Sequence, residues 1–110
     1  MTLLDTILKQ GGYSKHEDTL QWSREIRIPG NQTILEVNGK RRKVQHEAES
    51  LIINVRSIGE ATIGEEIQEQ FRIEVMRKDE ELFAHEEVVE NSEKGAVDIA
   101  LLVQSIENSI

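Results

Sequence analysis

The sequence predicts an α+β fold: an antiparallel meander sheet of five to six strands, flanked by a short N-terminal helix and a longer C-terminal helix. Three observations predict it. The middle of the chain alternates apolar and polar residues with period two. An Asn38-Gly39 pair sits between two such runs, the strongest short-range hairpin signal. The last apolar residues recur at helical spacing. Hairpin-length connections argue against parallel βαβ units, whose crossovers need a dozen or more residues.

The elements follow in order. In "TLLDTILKQGG", Thr2 is placed to cap a helix. Leu3, Leu4, Ile7 and Leu8 form its stripe, and Gly11-Gly12 end it. Residues 13–21 are polar and read as loop. "WSREIRI" puts Trp22, Ile26 and Ile28 on one side, with Arg24 breaking the set and Pro29-Gly30 closing the strand. "TILEV" and "RRKVQ" flank the Asn-Gly turn. "SLIINVRSI" aligns Leu51, Ile53 and Val55, while Ile52 points the other way. Gly59 and Gly64 are expected to bracket a connection. "IQEQFRIEVMR" turns Phe71, Ile73 and Val75 inward and Arg72 and Glu74 outward, and "KDEE" reads as a turn. In "LFAHEEVVE" the alternation fails at Glu86-Glu87, where a bulge is expected. The final helix takes Asn91 or Ser92 as N-cap, with Glu93 favourably placed in its first turn. Ala96, Ile99, Leu102, Val103, Ile106 and Ile110 make its stripe. Gly95 inside the first turn is expected to be a weak point.

With 110 residues the chain suits one domain spanning 1–110. It has no cysteine, so disulfides and thiolate metal sites are excluded. The N-terminus lacks the pattern of a signal peptide, and "GAVDIALLV" is too short to span a bilayer. A soluble, cytoplasmic protein is the expectation.

Charge is divided unevenly. Residues 1–46 hold 8 Lys/Arg against 5 Asp/Glu, net +3; residues 47–110 hold 5 against 16, net −11. Such an acidic balance repels nucleic acid and anionic membranes and favours basic partners. The acidic candidates for partner contact are Glu65, Glu66, Glu69, Asp79, Glu80, Glu81, Glu86 and Glu87.

Against that background stand four consecutive cations, Lys40, Arg41, Arg42 and Lys43. A two-residue Asn38-Gly39 loop pairs Val37 with Lys40, Glu36 with Arg41, Leu35 with Arg42 and Ile34 with Lys43. Lys40 and Arg42 then share one face, and Arg41 and Lys43 the other. Two cations share a face with Leu35 and Val37, so the tip is expected to project past the sheet into water. Cations split between faces, with no aromatic among them, suit acidic protein surface better than a phosphate backbone.

The usual apparatus of catalysis is missing from the pattern. His16, His46 and His85 each precede a glutamate, and adjacent residues on a strand point apart, which makes a poor chelate. His85 is expected to lie near Glu74 and Glu86. Neither a phosphate loop nor a nucleophile elbow occurs. No cofactor and no metal are expected. The sequence therefore reads as a non-catalytic protein-interaction domain: an inhibitor, an anion mimic such as a DNA mimic, or an assembly subunit. Nucleic-acid binding through hairpin 37–46 is the alternative. Val97 and Leu101 widen the last helix's stripe, and Ile52 and Met76 point away from the core face, so a homodimer is expected.

Overall fold

The computed structural model describes residues 2–110. Its elements run α1 (Thr2–Gln10), β1 (Ser14–His16), β2 (Gln21–Ile28), β3 (Asn31–Val37), β4 (Lys40–His46), β5 (Glu49–Ile63), β6 (Glu66–Arg77), β7 (Glu80–Glu90) and α2 (Glu93–Asn108). Five strands form one antiparallel sheet in the order β1-β2-β5-β6-β7. This is the expected α+β meander with both helices on one face. The hairpin β3–β4 lies outside that sheet as a separate two-stranded ribbon.

Period-two patterning sets the core. Val55 pairs with Ile73 and Ile53 with Val75, so the inward residues of β5 and β6 make one apolar surface. Leu4 and Leu8 of α1 and Ala96, Ile99 and Val103 of α2 cover it, and all are buried. Each fully buried aliphatic side chain contributes roughly 1.5–3 kcal/mol. The opposite sheet face is left uncovered by the helices. There Ile52 is exposed opposite Met76, pointing away from the core as the alternation predicts.

Several local expectations need correction. Residues 13–21 are not simply loop: Ser14–His16 pair with Gln21–Ser23 as a short edge strand. A three-residue polar strand carries no periodicity to read. The segment between Gly59 and Gly64 is not a connection, because β5 continues through it and turns at Gly64-Glu65. Gly59 instead follows a bulge, where Ile58 is the extra residue between Ser57 and Gly59. No bulge lies at Glu86-Glu87. Those residues hold register opposite Arg72 and Phe71, and the irregularity falls at Leu82. The alternation survives because Arg72 receives Glu86 on the open face, while Glu87 sits on an edge strand at an exposed position.

Gly95 is not a weak point. A Cβ there would collide with the Glu90 carbonyl and crowd Val89, so only glycine lets α2 start so close to β7. Ser92 is the N-cap, its Oγ accepting from the Gly95 amide at 3.5 Å.

The molecule is long, 71 × 25 × 23 Å, and its topology explains why. Ile28 pairs with Glu49, so β3–β4 leaves and returns at one end of the sheet. The Gly64-Glu65 turn lies at the other end, beyond the last β6–β7 pair, Gln68 with Glu90.

Candidate interaction surfaces

The basic tetrad sits on an arm. Asn38 and Gly39 have φ of 53° and 73°, the two left-handed positions a type I′ turn requires. The register is Val37 with Lys40, Glu36 with Arg41, Leu35 with Arg42 and Ile34 with Lys43, as the turn predicts. Every β3 residue is exposed, and in β4 only Val44 is half-buried. The whole hairpin, not its tip alone, stands in solvent. Ile34 is 61% exposed and Val37 67%. Seven ladder positions make the arm about 24 Å long. Arg41 pairs with Glu36 at 3.8 Å. Lys40, Arg42 and Lys43 have no carboxylate within 4.0 Å among the described residues.

The eight acidic candidates do not form one surface. Three groupings emerge. On the open sheet face, Arg72 donates to Glu74 at 2.7 Å, Glu81 at 2.6 Å and Glu86 at 3.2 Å. Arg56 reaches Glu74 at 3.3 Å, and Gln70 reaches Glu86 at 3.1 Å. Hydrogen bonds from Glu74 foremost, then Glu81 and Glu86, hold the Arg72 guanidinium charged beyond its ordinary range. Glu81 and Glu86 therefore share one cation within the chain, and Glu74 is reached by both Arg72 and Arg56.

At the arm end, Arg77 bonds Glu80 at 3.0 Å and lies 3.6 Å from Glu49. Asp79 occupies the adjacent turn. Glu87 faces the helix side and meets His85 Nε2 at 2.7 Å. His85 thus neighbours Glu87; Glu74 and Glu86, its expected neighbours, belong to the other face with Arg72.

The third grouping is at the Gly64 end. Glu65 and Glu66 are exposed at the turn. Residues 57–70 and 88–93 contain six glutamates, at 60, 65, 66, 69, 90 and 93, and no Lys or Arg. Glu69 is only 7% exposed, and its Oε2 has no hydrogen-bond partner. Directly opposite it in the ladder is Glu60, another carboxylate. Like charges placed opposite are destabilising, and a buried unpaired polar atom adds a desolvation penalty. The signal for this burial was the phase: Glu69 continues the inward set Phe71, Ile73 and Val75 at period two, though the run around it is polar.

The same end has a free strand edge. β2 pairs with β5 no further than Val55, so β5 beyond it is unpaired on that side. Ile58 and Ile63 of β5, Ile67 of β6 and Val88 of β7 are exposed at this end of the sheet.

Two hollows flank the helices. A cavity of about 360 Å³ lies between the helices, lined by Ile7, Val97, Leu101 and Gln104 among others. Another, of about 580 Å³, lies between the Leu82 bulge and the end of α2, lined by Phe83, Leu102, Ile106 and Ile110 among others. The first also includes Tyr13 and Glu107, which are bonded to each other; the second has no Asp, Glu, His, Lys or Arg in its lining. Among the described residues, no three His, Asp or Glu side chains are grouped to hold a metal ion. No helix there is long and apolar enough to cross a membrane. Compared with family models, curated proteins and solved structures, the chain matches none of them.

Proposed function

We propose that this chain is a non-catalytic protein-binding domain, an assembly subunit whose arm of residues 31–46 docks on acidic protein surface. The observation that carries the reading is the arm itself. An isolated two-stranded hairpin is at best marginally stable in water. This one leaves Ile34, Leu35 and Val37 exposed between its cations. Apolar residues interleaved with Lys and Arg gain from burial against protein, where desolvation and charge pairing act together. The partition of Glu80, Glu81 and Glu86 into internal ion pairs, with Glu87 hydrogen-bonded to His85, favours an assembly subunit over a phosphate-mimicking inhibitor. A cytoplasmic setting suits a cysteine-free chain of this kind.

One observation favours a second reading, nucleic-acid binding. The arm's length of about 24 Å is several times the Debye length of about 8 Å at physiological salt, so the acidic body repels a polyanion at the tip only weakly. The absence of any Phe, Tyr or Trp on the arm weighs against it, since single strands are gripped by stacking.

Zero-length carbodiimide coupling in native extract, followed by mass spectrometry, tests the first reading. Links from Lys40 or Lys43 to Asp or Glu of protein support it. Tight duplex or RNA binding, lost when residues 40–43 become serine, would replace it with the second.

A further inference from the structure

We infer that the arm's occupant is a second copy of this chain, whose Gly64 end receives it, so that copies join head to tail. The inference rests on the protein-docking reading of the arm and names its partner.

The first argument is charge. The arm carries Lys40, Arg41, Arg42 and Lys43 against Glu36 alone, net +3, and the remainder of the chain carries −11. Within that remainder most sheet carboxylates already have cations. Glu74, Glu81 and Glu86 share Arg72, and Glu80 holds Arg77. The glutamates of the Gly64 end have none within 4.0 Å among the described residues. This uncompensated negative region lies at the opposite end of the long axis from the arm, so an arm that meets it belongs to another copy.

The second argument is the Glu69–Glu60 pair. A buried carboxylate oxygen with no donor, set opposite a second carboxylate, calls for a cation from outside. Asn91 Nδ2 donates to Glu60 at 3.4 Å, and Glu69 receives no such contact. A guanidinium or ammonium group brought against Glu60 lowers the repulsion felt by both.

The third argument is apolar surface and backbone. Of the 15 exposed large hydrophobic residues among those described, seven lie at these two ends: Ile34, Leu35 and Val37 on the arm, with Ile58, Ile63, Ile67 and Val88 at the Gly64 end. Both ends also carry unpaired strand edges, the arm along β3 and β4 and the body along β5 past Val55. Strand addition joins such edges through main-chain hydrogen bonds.

A contact between different patches is heterologous. Joined end to end along the long axis, such copies do not close at two and generate a ring or an open row, whereas two copies lying antiparallel would close by making the contact twice. That separates it from a symmetric homodimer built on Val97 and Leu101.

Sedimentation across a wide concentration range, at about 0.01 M and about 1 M salt, reads the mass directly, with Debye lengths of about 30 Å and 3 Å. The expected result is a mass that grows past two copies at low salt and falls toward 12.6 kDa at high salt. Two variants isolate the ends: K40S/R41S/R42S/K43S and E60Q/E65Q/E66Q. Circular dichroism checks that each folds. Each alone should sediment at 12.6 kDa, and an equimolar mixture should form pairs and stop there, because each variant keeps one working end. Wild type at 12.6 kDa under all conditions overturns the second copy as occupant. Carbodiimide links from Lys40 to a different protein would then leave the docking reading standing. A mass that saturates at two copies overturns the head-to-tail joining, and variants that assemble as wild type does place the contact elsewhere and overturn the inference.

Discussion

The Tyr13 hydroxyl donates to Glu107 Oε1 at 2.6 Å, and Arg24 holds the other oxygen of that carboxylate at 3.2 Å. The three residues tie the end of α1, the first long strand and the end of α2 together at the rim of the core. Burial first, then the bond to Glu107, pushes the phenol's proton affinity above its ordinary value. In the unfolded chain the phenol ionises near pH 10. The contribution is present below that pH. It is lost as pH rises past about 10, because the unfolded state then releases a proton that the folded state keeps. Tyr13 is the only tyrosine. Phenolate absorbance should therefore appear only as the protein unfolds in alkali, and a titration midpoint near 10 in the folded protein would contradict this. Tyr13→Phe should cost about 1 kcal/mol at neutral pH in urea unfolding.

Gly95→Ala tests how closely α2 approaches β7. The added methyl meets the Glu90 carbonyl, and the helix must shift or tilt. Overpacking of this kind costs about 1–3 kcal/mol. By helix propensity alone the change would stabilise by about 1 kcal/mol. The sign of the change in urea midpoint decides between the two.

Gly39→Val should disturb the arm and spare the body. Gly39 has φ of 73° with open space around it, so the cost is backbone strain and not a clash. A left-handed residue other than glycine costs roughly 1–2 kcal/mol, enough to melt a hairpin that stands alone. Hydrogen exchange should show protection lost in residues 31–46 and kept in Ile53 and Ile73. Global unfolding would mean that the arm supports the core.

Much of the architecture was legible because its causes are local. Asn38-Gly39 dictated a turn, and the turn dictated the register of all four cations. Leu51, Ile53, Val55, Phe71, Ile73 and Val75 advertised one face by alternation. What escaped depends on partners far away in sequence. Glu86 looked like a fault in β7 until Arg72 stood opposite it. Gly95 looked costly until Glu90 lay against it. The amount of acid was plain from composition, but its division into neutralised and uncompensated groups was not. Which glutamate finds an arginine is settled by strand pairing.

Glu69→Leu should stabilise the protein. It removes a buried carboxylate whose Oε2 has no partner and ends the repulsion with Glu60. Relief of an unsatisfied buried polar group is worth about 1–3 kcal/mol, and the urea midpoint should rise accordingly. A fall would show that the carboxylate is compensated in solution.

Strand β5 deserves a mechanical reading. Its 15 residues, Glu49–Ile63, run from the root of the arm to the far turn, about 50 Å of continuous backbone. β6 binds it along nearly its whole length, and β2 along its first half. Antiparallel ladder bonds lie perpendicular to the strands. Tension applied between the two ends of the molecule therefore acts along β5 and shears its ladder, loading many hydrogen bonds at once. Tension that peels β7 sideways meets them one at a time. The molecule is a strut along its long axis and a zipper across it.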